Sequence, residues 1–398
     1  MNKLLLATAA TALMSGAAFA ESHTGDVKIG IELGFTGPLE SITPAMGAGA
    51  DLAIAEINAA GTLLDGATVT AIRADSTCID AGAATAAAEG LVTGDMVNAI
   101  MGADCSGVTG AVLQNVARPN GIVMISPSAT SPALSQAEDD GLFFRVAPSD
   151  ARQGEVMTNV LQDRGIESVA LTYTNNDYGK GLADAIQTEF EAKGGVVTIV
   201  ASHEDGKADY SAEMGALASA GGDLLVVAGY LDQGGLGIIR ASIDSGAWDT
   251  FGLPGGMIGD SITENLGDEL NGSYGQIAGS GGEGTAKIKM MSEAAGFDGT
   301  SPYSPESYDA AALFMLAMEA AGSTDPADYN AKILEIANAP GEQILPGELA
   351  KALEIIRAGG DIDYVGASSV ELIGGGESAG NYREVMVVGG KFETVGFR

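Results

Sequence analysis

Three short stretches gather hydroxyls, glycines and free backbone N–H groups. They are Gly34-Phe35-Thr36-Gly37-Pro38-Leu39-Glu40-Ser41-Ile42, Gly102-Ala103-Asp104-Cys105-Ser106-Gly107-Val108-Thr109-Gly110 and Ser126-Pro127-Ser128-Ala129-Thr130-Ser131-Pro132. Each follows a short apolar run. A hydroxyl at a helix start, beside unpaired N–H groups, suits an anion such as a carboxylate; it equally suits ordinary helix capping. Three such loops at successive strand ends point to a ligand-binding edge. Farther along, Thr174-Asn175-Asn176-Asp177-Tyr178-Gly179 and Gly229-Tyr230-Leu231-Asp232-Gln233 place Tyr178 and Tyr230 after two more apolar runs. A tyrosine there covers a ligand with an apolar face and a polar tip. Pro254-Gly255-Gly256-Met257-Ile258-Gly259-Asp260 adds a flexible loop with a carboxylate, Asp260.

The sequence has no phosphate-binding Gly-x-x-x-x-Gly-Lys-Ser/Thr, no Gly-x-Ser-x-Gly elbow and no His-Glu-x-x-His pair. Of the two histidines, His23 lies near the amino terminus, and His203 follows a strand, where a solvated or hydrogen-bonded role outweighs a catalytic one. With only two His and two Cys, no His- or Cys-based metal site is expected, and no cofactor. These residues read as a binder, not an enzyme.

The elements that must carry these loops alternate. Strands are predicted at 27–33, 68–74, 98–101, 122–126 and 142–147, with helices between them at 46–58, 81–93 and 107–117. After Pro148-Ser149-Asp150 the pattern restarts, with strands at 168–173, 196–201 and 224–228 and near Phe251. Alternation of this kind implies right-handed crossovers and parallel sheets. Leu313, Met315, Leu316 and Met318 in the helix 307–321 read as core packing. A hairpin closes the chain, 384–388 and 392–395, around Gly389-Gly390.

At 398 residues, with 46% hydrophobic, the chain is long enough for two cores and too apolar for global disorder. Fifty-three Asp plus Glu against 19 Lys plus Arg give a formal charge of -34, which argues against nucleic acid and anionic membrane as partners. Residues 1–20 carry Lys3, an apolar stretch and Ala18-Phe19-Ala20, the layout of a cleaved secretory signal peptide. Export makes a Cys78–Cys105 disulfide the expected state, since each cysteine follows a strand end; a free redox-active dithiol is the alternative.

Thr36-Gly37-Pro38 with Ala53-Ile54-Ala55-Glu56-Ile57-Asn58, the 124–132 stretch, Asn176-Asp177-Tyr178-Gly179-Lys180-Gly181 and Ser307-Tyr308-Asp309-Ala310-Ala311 together resemble the periplasmic substrate-binding proteins of ABC importers, of the leucine/isoleucine/valine-binding type. The resemblance covers nearly the whole mature chain, and its paired cysteines match Cys78 and Cys105. It implies an α/β type I periplasmic binding fold: two Rossmann-like lobes with parallel-sheet cores, joined by a three-segment hinge that closes on a small ligand. Lobe 1 is then 26–147 plus 279–361, and lobe 2 is 148–278 plus 362–398.

The family's carboxylate-binding serine matches Ser106, and its alanine and threonine match Ala129 and Thr130, with Ser128 beside them. The second-lobe tyrosines match Tyr178 and Tyr230. The first-loop tyrosine falls on Ile42 and the ammonium-binding acid falls on Gly255, so Asp260 or Asp104 is a candidate replacement. An amino acid is the expected ligand, with an amide, a urea-like compound or a carboxylate as alternatives. The resemblance further implies a periplasmic monomer that meets an ABC permease in the inner membrane. Two other readings use the same pocket. A sensor lobe would dock a membrane kinase instead of a permease, and a hydrolase using a carboxylate pair would turn its ligand over.

Overall fold

The computed structural model describes residues 25–398; the signal-peptide reading and His23 fall outside them. The chain begins with β1 (Val27–Leu33), α1 (Thr43–Ala60), β2 (Val69–Asp75), α2 (Ala81–Glu89), β3 (Ala99–Gly102), α3 (Ser106–Val112), α4 (Arg118–Asn120), β4 (Met124–Ser126) and β5 (Phe143–Pro148). It then crosses and starts again with α5 (Asp150–Asp163), β6 (Ser168–Thr174), α6 (Asp177–Ala192), β7 (Val196–His203), α7 (Ser211–Ala220), β8 (Leu224–Ala228), α8 (Gly234–Ser245), β9 (Phe251–Leu253), α9 (Asp260–Leu266) and β10 (Tyr274–Ala278). Strands such as β8, Leu-Leu-Val-Val-Ala and wholly buried, are apolar on both faces because helices cover both sides of a parallel sheet.

A second crossing leads back through α10 (Glu283–Ala295), α11 (Ser304–Ala321), α12 (Pro326–Ile336), β11 (Glu342–Ile344), α13 (Leu349–Arg357), β12 (Ile362–Tyr364), β13 (Leu372–Ile373) and β14 (Glu377–Ser378). A third reaches the final hairpin, β15 (Tyr382–Val388) and β16 (Lys391–Phe397). The first sheet runs β13-β14-β5-β4-β3-β1-β2 and the second β16-β15-β10-β9-β8-β6-β7. Each core therefore repeats one order, second-first-third-fourth-fifth strand, whose switch point lies between the first and third strands. The expected two-lobe α/β architecture is present.

One expectation moves. The sequence reading returned the chain to the second lobe at residue 362, whereas β13 and β14 belong to the first sheet and the return comes only before Tyr382. Two-residue strands, Leu372-Ile373 and Glu377-Ser378 on either side of Gly374-Gly375-Gly376, carry no periodic signal that could have placed them. The helix carrying Leu313, Met315, Leu316 and Met318 is core as expected, with all four fully buried against α1 and the first sheet. His203 is also buried, its Nδ1 2.9 Å from the Thr172 hydroxyl. Burial holds its imidazole down to about 4.

Glu32 is an exception to the apolar interior. It lies on β1 with no exposure, and neither carboxylate oxygen has a hydrogen-bond partner among the described residues. Burial, with Asp104 adding repulsion, pushes it up to about 8. The folded state thus holds a proton that the unfolded chain releases near 4.5, and this contribution to stability falls as pH rises from there to 8. Glu32→Gln is expected to melt close to wild type at pH 5 and about 2 °C or more above it at pH 8.5. Parallel calorimetric scans at the two pH values check this, and an equal difference at both would contradict it.

Candidate functional site

The loops at the two switch points face one another. On the first side, the Cys78–Cys105 bridge joins the loop after β2 to the loop after β3, across a separation of 27 residues. β1 lies between those strands, so the bridge spans the end of β1 instead of linking adjacent strands. A glycine is required beneath it: a Cβ at Gly34 would lie 2.9 Å from Asp104 Oδ2 and 3.0 Å from the Cys78 Cβ. Asp104 is consumed in this layer, its Oδ1 accepting the Ser76 hydroxyl at 2.8 Å.

Ser106 is the first residue of α3, with Cys105 at the cap position. Its Oγ accepts the N–H groups of Thr130 at 3.2 Å and Ser131 at 3.0 Å. Ser126 donates to the Ala103 carbonyl at 2.6 Å and accepts from Ala129 N–H at 2.9 Å, while Ser128 donates to the Asp104 carbonyl at 2.9 Å. Arg145, fully buried on β5, donates to the carbonyls of Ala129 at 3.2 Å and Ser131 at 2.9 Å, and to Glu377 Oε1 on β14 at 2.9 Å. The whole 126–132 loop is thus pinned from both sides, which fixes the Thr130 backbone.

From the second side, Tyr178 and Tyr230 stack with centroids 5.0 Å apart and planes at 14°. The Tyr178 hydroxyl accepts the Gly256 N–H at 3.0 Å. Ser106, Ser128, Ala129, Thr130, Tyr178 and Tyr230, all named from the sequence, are buried around the meeting of the two sides. Ile42 and Asp260 lie apart. They line a neighbouring cavity of about 450 Å³ together with Asp298, Ser301 and Arg383.

Sequence reasoning missed the residue at the centre. Asp150, the first residue after the crossing into α5, has no exposure, and neither carboxylate oxygen has a hydrogen-bond partner among the described residues. Its own N–H is held by the Thr130 carbonyl at 2.8 Å. Burial raises its carboxyl to about 7, partly offset by the Arg145 charge and by the Thr130 hydroxyl, which lies near enough to favour the ionised form although it falls outside hydrogen-bond geometry. The hydroxyls of Tyr178, Tyr230, Tyr303 and Tyr382 are all pushed up, first by burial and then with Asp150 among the charges responsible. All four hydroxyls therefore lie within electrostatic reach of one carboxylate.

Gln153 Oε1 and Thr130 Oγ1 are likewise buried and unpaired among the described residues. At Gly255 a Cβ would meet the Tyr303 hydroxyl at 2.7 Å and Gln153 Nε2 at 3.1 Å, so these two side chains occupy the ground a side chain there would need. The signal that could have found Asp150 was its position, an acid at the restart of the repeat, immediately beyond Pro148-Ser149.

The family model described as "Periplasmic binding protein" matches residues 26–341. The Leu/Ile/Val-binding protein homolog 3 of Brucella melitensis is 31% identical over 84% of this chain and 89% of its own. The chain belongs to the periplasmic binding protein family, of the Leu/Ile/Val-binding type. Among solved structures of this family's fold, a leucine binding protein from Thermotoga maritima superimposes with a TM-score of 0.79 at 21% identity, covering 93% of this chain and 98% of that one. An ABC transporter solute binding protein of R. palustris, in complex with benzoate, gives 0.74 at 18%, covering 94% and 96%.

The bridge anchors the loop that presents Ser106, so its removal should cost about 3–4 kcal/mol by loop-closure entropy. Urea unfolding of a Cys78→Ser/Cys105→Ser double variant measures this, and a midpoint unchanged from wild type would contradict it.

Proposed function

We propose that this periplasmic binding protein captures a free α-amino acid between its lobes, releases it chemically unaltered and hands it to an ABC permease in the inner membrane. The reading takes the mature form as a periplasmic monomer that begins after Ala20 and performs no catalysis. The observation that carries the ligand class is Asp150. A buried carboxylate without a hydrogen-bond partner among the described residues is costly, and the unpaired Gln153 Oε1, a second acceptor on the same helix, calls with it for a donor-rich group. An ammonium supplies one positive charge and three N–H donors. Asp150 then takes the part the sequence reading sought in Asp104 or Asp260. The first turn of α3 and the Ser106–Thr130 corner face the ligand's carboxylate, and the Tyr178–Tyr230 stack covers its apolar side chain.

Magnitudes fit reversible capture. Three charge-assisted hydrogen bonds at roughly 1.5–3 kcal/mol each and one buried aliphatic group at about 1.5–3 kcal/mol exceed the ~8 kcal/mol of micromolar affinity before association costs. A benzoate-like carboxylate would leave Asp150 unpaired, which favours the amino acid over that class.

Calorimetry with L-leucine and with 4-methylpentanoate, its analogue without the ammonium, tests the reading. Leucine should bind about 100-fold or more tightly, and Asp150→Asn should lose most of that preference. Equal affinities for the two, or an Asp150→Asn variant with wild-type discrimination, would contradict it. The ammonium must also draw Asp150 below its free value of about 7. Binding at pH 7 should therefore release about half a proton and weaken as pH falls below 7. Leucine titrations in two buffers of different ionisation enthalpy measure the release, and none would contradict the pairing.

A further inference from the structure

The loop after β8 carries Asp232 two residues beyond Tyr230, at the rim of the cleft and half-exposed. Its Oδ2 accepts the Ser41 N–H at 2.9 Å, and its own N–H donates to the Pro38 carbonyl at 3.2 Å. Pro38 and Ser41 belong to the loop after β1, in the opposite lobe. The other carboxylate oxygen, Oδ1, accepts the hydroxyl of Ser261 on α9, which fixes the side chain's direction. Behind this rim Ile42 packs on Gly259 and Leu231, where a Cβ at Gly259 would approach Ile42 Cγ2 to 3.2 Å and Leu231 Cδ1 to 3.1 Å. At another edge of the cleft α6 comes down on the 131–132 turn, a Cβ at Gly181 meeting Pro132 Cδ at 2.8 Å and Ser131 Oγ at 3.1 Å. Among the described residues that edge closes by shape, while the Asp232 edge closes by directed hydrogen bonds.

We propose that Asp232 is a clasp: a positioning residue that holds the lobes shut and sets how long a bound solute is retained, without itself facing the ligand. The inference rests on the amino-acid reading for its probe, not for its geometry. A carboxylate accepting a backbone N–H makes a stronger bond than a neutral acceptor, and opening the cleft breaks it together with the Asp232–Pro38 bond. A contact present only in the closed state shifts the open–closed balance by its whole differential strength. A ligand sealed in a closed cleft leaves only after opening. Loss of the clasp therefore appears in the dissociation rate and leaves association nearly untouched.

The Ile42–Leu231–Gly259 packing persists without the carboxylate, so closure weakens instead of failing. Ser261 contributes indirectly, by aiming Oδ2 at Ser41. The effect of half-exposed bonds of this kind is about tenfold.

Stopped-flow tyrosine fluorescence with L-leucine tests this. Asp232→Ala should dissociate about tenfold faster with association within about twofold. Asp232→Asn should stay within about threefold of wild type, because its amide oxygen still accepts from Ser41 and its NH₂ donates to Ser261. Unchanged dissociation in the alanine variant, or an asparagine variant as impaired as the alanine one, overturns the proposal. A wild type that ignores leucine counts against the ligand reading and not the clasp, which small-angle scattering of the ligand-free proteins then decides. A larger radius of gyration for Asp232→Ala supports it, and identical radii overturn it.

Discussion

A carboxylate taken out of water with nothing to pair it is among the more expensive things a fold can hold, and among the described residues Asp150 is in that position, at the seam between the lobes. Arg145, the buried cation whose charge it feels, directs its hydrogen bonds elsewhere, to Ala129, Ser131, Ser135 and Glu377. Tyr178, Tyr230, Tyr303 and Tyr382 are buried with it, in an interior closed to the water that would otherwise solvate the group. A closed cleft of this design is under-satisfied until a donor-rich cation enters. On the proposed reading burial gives the site its selectivity, because the same desolvation that raises the Asp150 carboxyl would strengthen its pairing with an ammonium.

Everything around it serves position. The repeated strand order brings two switch points face to face, so loops from both sheets converge without any long excursion. The disulfide draws two of the first-lobe loops over Gly34, and Ser106, Ser126 and Arg145 together hold the 126–132 turn. Glu377, from nearly the last segment of the chain, completes the Arg145 anchor. Residues far apart in sequence thus share one local task.

The alternation of apolar runs and helices made the two-lobe architecture readable, because parallel strands buried on both faces leave an unmistakable pattern. The loops with stacked hydroxyls and the tyrosines after two strands were readable too, since strand ends in such sheets face the crevice. Asp150 was not. In a sequence with 53 acidic residues, one more acid at a helix start looks like a favourable first-turn charge. Only the fold shows that this turn is sealed. Asp104 is bonded to Ser76 and Asp260 lines the neighbouring cavity, placements that proximity along the chain could not supply. The β13–β14 excursion escaped because two-residue strands have no period.

The account stands or falls on the ionisation of one group. Infrared difference spectroscopy of protein carrying ¹³C-labelled aspartate, with Asp150→Asn as the assignment control, reads it directly. The free protein should show a protonated Asp150 carboxyl that titrates near pH 7 and loses its proton when leucine is added at pH 6.5. An Asp150 already ionised at pH 5 in the free protein, or one that keeps its proton in the complex, would contradict the account.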